Sequence, residues 1–226
     1  RAVLAPRNDQ VVQANEHMLA QLPFGGDRLY TSTNRLRDDA TVRRGDDGAL
    51  ADTDFSAEAL QAVEVAGLPP HELRLMPGCV VVVLRNLSFE DGLINGVRGL
   101  VVDCLPRLVR VLLLAGPGKG SLALVPRIPM TAEPGELPVP LVRRQIPLRL
   151  AWAMTINRSQ GQTLRRCGVM LPTPCFAHGQ RYVALSRARA SSDVRVWLPD
   201  DDMQGELLVG RRDFVTDNVV FDEVLP

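Results

Sequence analysis

The sequence predicts an α/β fold interrupted by a small all-β segment. Three observations carry this. Residues 2–5 (AVLA) form an apolar run of strand length, followed by helical spacing at Val12, Asn15, Met18/Leu19 and Leu22. Residues 148–154 form a second apolar run, broken only by Arg149, which suits a strand buried on both faces. Between them, from about residue 73 to 127, short aliphatic and β-branched runs at 79–84, 97–104, 108–115 and 122–125 are separated by Gly and Pro turns at the spacing of a small barrel.

Length and composition set bounds. At 226 residues the chain is one large domain or two small ones, and a hydrophobic content of 46% supports a sizeable core. Lys and Arg number 26, as do Asp and Glu. That balance excludes a wholly non-specific nucleic-acid binder, so any such contact must be local. Lys119 is the only lysine, which a GC-rich genome explains as well as function does. Cys79, Cys104, Cys167 and Cys175 form no CxxC pair and no zinc spacing; they read as buried free thiols of a reducing, intracellular setting. The apolar runs fall short of a membrane span, so no membrane partner is expected. No signal peptide is visible, and the absence of an initial Met suggests a fragment of a longer protein.

Taken in order, residues 2–5 are a strand, Asp9 caps the following helix, and Pro23 with Gly25-Gly26 ends it. Residues 28–33 read as a strand and 35–54 as an exposed loop. Ser56 caps a helix running to Ala66, stopped by Gly67 and Pro69-Pro70. The β segment follows, with Asn95-Gly96 as a turn. Residues 129–140, carrying four prolines, are an irregular strap. Residues 193–198 alternate as a strand, with Trp152 and Trp197 in the core, and Asp200-Asp201-Asp202 is a solvated turn.

Two polar clusters stand against this background. The first, residues 155–163, follows the apolar run at 148–154. Thr155, Asn157 and Ser159 offer hydroxyl and amide groups to phosphate oxygens, and Gly161 lets the backbone approach a ligand. Residues 162–166 read as a short helix with its N-terminus towards an anion; a solvated strand-to-helix turn is the alternative. The second, residues 179–189, reads as a helix with Tyr182, Leu185 and Ala188 on its buried face and Ser186, Arg187 and Arg189 off it. An arginine so fixed can hold a phosphoryl group with its fork of donors, or be an ordinary surface arginine. His178, just before that helix, reads as a cap or a core-satisfied residue. Residues 116–121 (GPGKGS) mimic a phosphate loop but fail it: Gly120 stands where Ser or Thr is needed, and the segment reads as a hairpin turn.

TINRSQGQTL (155–164) resembles motif V, and GQRYVALSRAR (179–189) motif VI, of superfamily-one DNA helicases of the Pif type, including Helitron and viral members. Residues 1–8 resemble motif IV; 67–75, 84–87, 92–99, 126–128 and 144–147 extend the likeness in order through most of the chain. The resemblance implies a RecA-like second motor domain of the P-loop-NTPase type, built from residues 1–72 and 141–226. It implies an inserted barrel of the Src-homology-three type at 73–128 and a return strap at 129–140.

It further implies the C-terminal half of an ATP-dependent 5′-to-3′ helicase. Arg187 would be the arginine finger, and Gln160, Gly161 and Arg187 would face the nucleotide. Asn8, Thr155, Asn157, Arg158 and Ser159 would meet single-stranded DNA; for Asn8 a plain strand-to-helix turn is the alternative. Many relatives carry His then Lys where this chain has Asn157 and Arg158. ATP and Mg2+ would be bound mainly by the N-terminal RecA-like domain of the same protein, because this sequence has neither a P-loop nor an Asp-Glu pair after an apolar strand. No metal ligands are expected in the chain itself, and the setting would be nuclear in a eukaryote. The competing readings are a DNA-binding module of a decayed helicase and a protein-interaction barrel.

Overall fold

The computed structural model describes residues 1–23, 25–36, 57–63, 67–131, 141–199, 216 and 219. In chain order the elements are β1 (Ala2–Ala5), α1 (Asn8–Ala20), β2 (Arg28–Thr31), β3 (Thr33–Leu36), α2 (Ala57–Ala62), β4 (Glu72–Leu75) and β5 (Val80–Val83). There follow β6 (Arg98–Cys104), β7 (Leu108–Leu113), β8 (Leu122–Pro126), β9 (Ile128–Thr131), β10 (Leu141–Gln145) and β11 (Leu148–Leu150). Then come β12 (Ala153–Thr155), β13 (Cys167–Met170), α3 (Gln180–Leu185) and β14 (Val194–Trp197). The expected loop from residue 37 onward, the Ser56 cap, the helix end at 64–66, most of the strap and the Asp200-Asp201-Asp202 turn lie outside the described residues.

The chain divides into two units, Arg1–Leu22 with Ala151–Pro226, and Pro23–Leu150. The first is the α/β unit. Its sheet has the order β12-β1-β13-β14, with every pairing parallel. Leu4, Ile156, Val169, Leu171 and Ala184 are buried in its core. Complete burial of one such leucine contributes about 1.5–3 kcal/mol.

Helix α1 packs on β12 and β1, by the expected face at Asn15 and Leu19 but not at Val12 or Met18. Its buried residues are Gln10, Asn15 and Leu19, whereas Val12 and Met18 are exposed. The reason is hydrogen bonding. Asn15 donates through Nδ2 to Ala153 O (3.1 Å) and accepts the Ala153 N–H on Oδ1 (2.9 Å), and Gln10 Nε2 donates to Thr173 Oγ1 (3.0 Å). Asp9 lies in the first turn, not at the cap, which is Arg7.

The second unit holds the antiparallel pair β2-β4, the antiparallel sheet β3-β10-β9 and the five-stranded antiparallel sheet β11-β5-β6-β7-β8. The turn at 116–121 joins β7 to β8 as a hairpin. Gly96 takes φ +85 in its turn, as the Asn-Gly pair predicts. Strands β11 and β8 are the two edges of the five-stranded sheet, so these pairings do not by themselves close the barrel that the resemblance implies. Fully buried Arg143 anchors the unit by donating to Asn34 Oδ1 (2.9 Å), Pro69 O (3.1 Å) and Leu60 O (2.9 Å).

Three expectations are corrected. The single strand at 148–154 is two strands: β11 pairs with β5 in the second unit, and β12 pairs with β1 in the first. The strand at 28–33 breaks at Ser32, whose N–H donates to His71 O (2.9 Å). The described residues between 23 and 72, and residues 141–150, assigned from sequence to the α/β part, lie in the second unit, where β2 pairs with β4, β3 with β10 and β11 with β5.

Candidate functional site

Ala5 pairs with Thr155 in parallel register, so the loops leaving the carboxyl ends of β1 and β12 emerge side by side. Open parallel sheets bind ligands at that edge. The loop after β1 is Pro6-Arg7, leading to Asn8 as the first residue of α1; Arg7 and Asn8 are exposed. The loop after β12 begins at fully buried Ile156, whose N–H donates to Ala5 O (3.0 Å), and continues as a 3-10 turn over Asn157–Ser159. Asn157, Arg158, Gln160 and Gly161 are exposed. Half-buried Thr155 accepts the Arg158 N–H on its hydroxyl at 3.4 Å. Gly161 has φ +75 with open space where a Cβ would sit, so backbone conformation and not crowding calls for glycine here.

Ser159 departs from its expected strand-facing role. It is fully buried, and its hydroxyl donates to Ile156 O (2.6 Å), closing the turn from inside. The helix expected at 162–166 is also absent. Leu164 instead bridges in parallel to Ala188 and donates its N–H to Arg187 O (2.8 Å), and the chain then enters β13. The anion site at a helix N-terminus therefore does not exist at this point.

The second cluster is helical only over the six residues of α3, entered through Gly179 at φ +71. Gln180 and Ala184 are its buried residues, while Tyr182 is 76% and Leu185 40% exposed. One and a half turns leave room for a single inward i, i+4 pair. Gln180 takes the inner position because its amide accepts the Phe176 N–H (3.2 Å) and donates to Pro6 O (3.5 Å), tying the loop after β13 to the loop after β1. The Arg7 guanidinium lies 5.8 Å from the centroid of the exposed Phe176 ring, a cation–π distance. Trp197 is exposed, not core, on the edge strand β14, and His178 is exposed.

Arg187 follows α3 and rests on the first cluster. Nε donates to Val183 O (2.8 Å) and Nη2 to Ser186 Oγ (2.9 Å). Nη1 is shared between Ser159 O and Gln162 O, at 3.3 Å each, the two carbonyls on either side of Gln160-Gly161. Beneath α3, burial pushes the Cys167 thiol up from its ordinary value, and the positive charge of Arg187 acts in the opposite sense. The fold thus brings together Arg187, Ser159, Gly161 and Gln162, with Thr155, Asn157 and Arg158 on the same loop and Asn8 in the neighbouring one. Sequence reasoning missed Gln162 and Gln180. For Gln180 the i, i+4 spacing to Ala184 was an available signal; Gln162 carried none, because its role depends on a residue 25 positions away.

Residues 58–104 match the family model described as the 2B domain of DNA helicase Pif1. ATP-dependent DNA helicase PIF1 of Danio rerio is 35% identical over 197 residues, covering 85% of this chain and 26% of that protein. The Homo sapiens protein of the same name is 43% identical over 130 residues, covering 55% of this chain and 19% of its own. The chain thus spans about a quarter or less of the length of these relatives. The crystal structure of Pif1 helicase from Candida albicans superposes with a TM-score of 0.64 at 27% identity, covering 86% of this chain and 44% of that one. Bacteroides Pif1 in complex with ADP-AlF3 and ssDNA shares the fold, with a TM-score of 0.59 at 21% identity over 86% of this chain and 39% of that one. With the parallel sheet, the two loop clusters and their order along the chain, these matches show that the chain belongs to the Pif-type helicase family, as a counterpart of its C-terminal part.

Proposed function

We propose that this chain is the C-terminal motor half of an ATP-dependent, 5′-to-3′ DNA helicase, and that Arg187 is its arginine finger. The observation that carries the reading is the seat of Arg187, with its guanidinium on the carbonyls that flank Gly161, at the carboxyl edge of the parallel sheet. A guanidinium held there by its Nε presents its other nitrogens to a phosphoryl group docked by a facing motor domain. Charge builds on the transferring phosphoryl oxygens, and a pre-placed cation stabilises it; such fingers contribute about 10³ to 10⁵ in rate.

Exposed Asn8, Asn157 and Arg158 supply an amide, an amide and a fixed cation to the single-stranded backbone, while Thr155 and Ser159 shape the turn that presents them. Gln160 and Gly161 bring exposed backbone to the nucleotide side. ATP and Mg2+ are proposed to be held mainly by an N-terminal RecA-like domain of the same protein. Among the described residues no three His, Cys, Asp or Glu side chains converge to hold a metal. Four buried free thiols support a reducing intracellular setting, nuclear in a eukaryote. No helix among the described residues is long and apolar enough to cross a membrane.

The test is to compare the 226-residue chain with the full-length protein. The full-length protein is expected to hydrolyse ATP with DNA stimulation and to unwind a duplex bearing a 5′ single-stranded tail. The chain alone is expected to bind an oligothymidylate with salt-dependent affinity and to show no turnover. DNA-stimulated turnover by the chain alone, or none by the full-length protein, overturns the reading.

A further inference from the structure

Gln162 touches both the proposed finger, Arg187, and Arg158 of the proposed strand grip. Its backbone carbonyl accepts Arg187 Nη1 (3.3 Å), its backbone N–H donates to Ser159 O (3.0 Å), and its side-chain Nε2 donates to Arg158 O (3.2 Å). We infer that Gln162 couples nucleotide binding to the grip on single-stranded DNA, acting as a positioning residue through Arg187 on one side and Arg158 on the other. This rests on the functional reading above.

Unequal bond lengths give the device its direction. Arg187 Nε is firmly anchored at 2.8 Å to Val183 O, whereas Nη1 is divided between two acceptors at 3.3 Å, longer than the usual 2.9–3.0 Å for such bonds. The stem stays fixed and the Nη1 end is the part that lets go. A phosphate oxygen forms a shorter, charge-assisted bond and takes Nη1 from the carbonyls. Ser159 and Gln162 then lose their shared donor. Ser159 is locked from within by its bonds to Ile156, so the adjustment falls on exposed Gln162, next to Gly161. Through Nε2 the movement reaches the Arg158 carbonyl and the orientation of the Arg158 side chain. By reciprocity, a strand gripped at Arg158 biases Nη1 towards release.

The test uses the full-length protein and an oligothymidylate, measuring the dissociation constant with and without a non-hydrolysable ATP analogue. The ratio of the two constants is the coupling, commonly about 5- to 150-fold. Gln162→Met keeps the side-chain length and removes the donor; Gln162→Glu keeps the shape and places a carboxylate against the Arg158 carbonyl. Both are expected to bring the ratio to within about twofold of unity, and DNA stimulation of turnover is expected to fall with it. A merely structural role would weaken DNA binding equally in both nucleotide states and leave the ratio in place. Because Gln162 is exposed, neither variant threatens folding. A ratio unchanged in both variants, or a wild-type ratio of one, overturns the inference while leaving the helicase reading intact. Absence of ATP turnover or DNA binding in the wild-type protein overturns the helicase reading itself.

Discussion

Arg187 donates from Nε, Nη1 and Nη2, and each acceptor belongs to motif V or to the motif VI segment that carries it. A lysine could not reproduce this, since one anchored nitrogen and a separate mobile one require the guanidinium fork. At the proposed transition state the arginine acts on charge that the ground state has not yet developed, so its removal affects rate more than affinity. Arg187→Ala in the full-length protein is therefore expected to lower kcat by about 10³ or more while ATP affinity changes by less than about fivefold. Steady-state turnover beside equilibrium nucleotide binding measures both. Equal losses in the two would assign Arg187 to ground-state binding.

At the scale of elements, β12 is three residues long and lies at the edge of its sheet, yet it carries the strand-to-turn junction on which the site depends. An edge strand leaves backbone groups open on one side. Asn15, on α1, meets them: its amide pairs with both the N–H and the C=O of Ala153, much as a neighbouring strand would. Asn15→Ala is expected to leave both groups unpaired where water has poor access, at a cost of about 2–6 kcal/mol, by doubling the typical penalty for one buried group. Urea unfolding of the chain would show it, and loosening should appear first as faster amide exchange at residues 153–157. A loss below about 0.5 kcal/mol would mean that water replaces the amide freely. Helical periodicity assigns this position to the inner face correctly but says nothing of its partner, 138 residues away.

For the molecule as a whole, the four thiols link stability to alkaline pH. Burial pushes Cys79 up to about 12 and raises Cys104, Cys167 and Cys175 as well. A thiol is neutral when protonated, so the fold favours the protonated form. Below about 8.5, the ordinary thiol value, native and unfolded chains both keep their protons and the stability is fully present. As pH rises towards 12, the unfolded chain releases a proton that native Cys79 retains, and stability falls by about 1.4 kcal/mol per pH unit from this thiol alone. Urea midpoints of the chain at pH 8 and pH 10 should drop accordingly, and Cys79→Val should flatten the dependence. An unchanged slope in that variant would remove Cys79 as its source.

Local chemistry was legible in the residues themselves. The apolar run at 2–5, the glycine needed at position 161, the hairpin at 116–121 that only imitates a phosphate loop, and the two polar clusters all depend on near neighbours, and periodicity and turn chemistry report on near neighbours. The tertiary structure decided the rest. It divided residues 148–154 between two sheets, gathered β2, β3, α2 and β4 into the β-rich unit, turned Ser159 inward and seated Arg187 on the carbonyls of Ser159 and Gln162. Each of these outcomes is settled by strand pairings or hydrogen bonds whose two ends compete with many alternatives along the chain, and only the folded backbone selects among them.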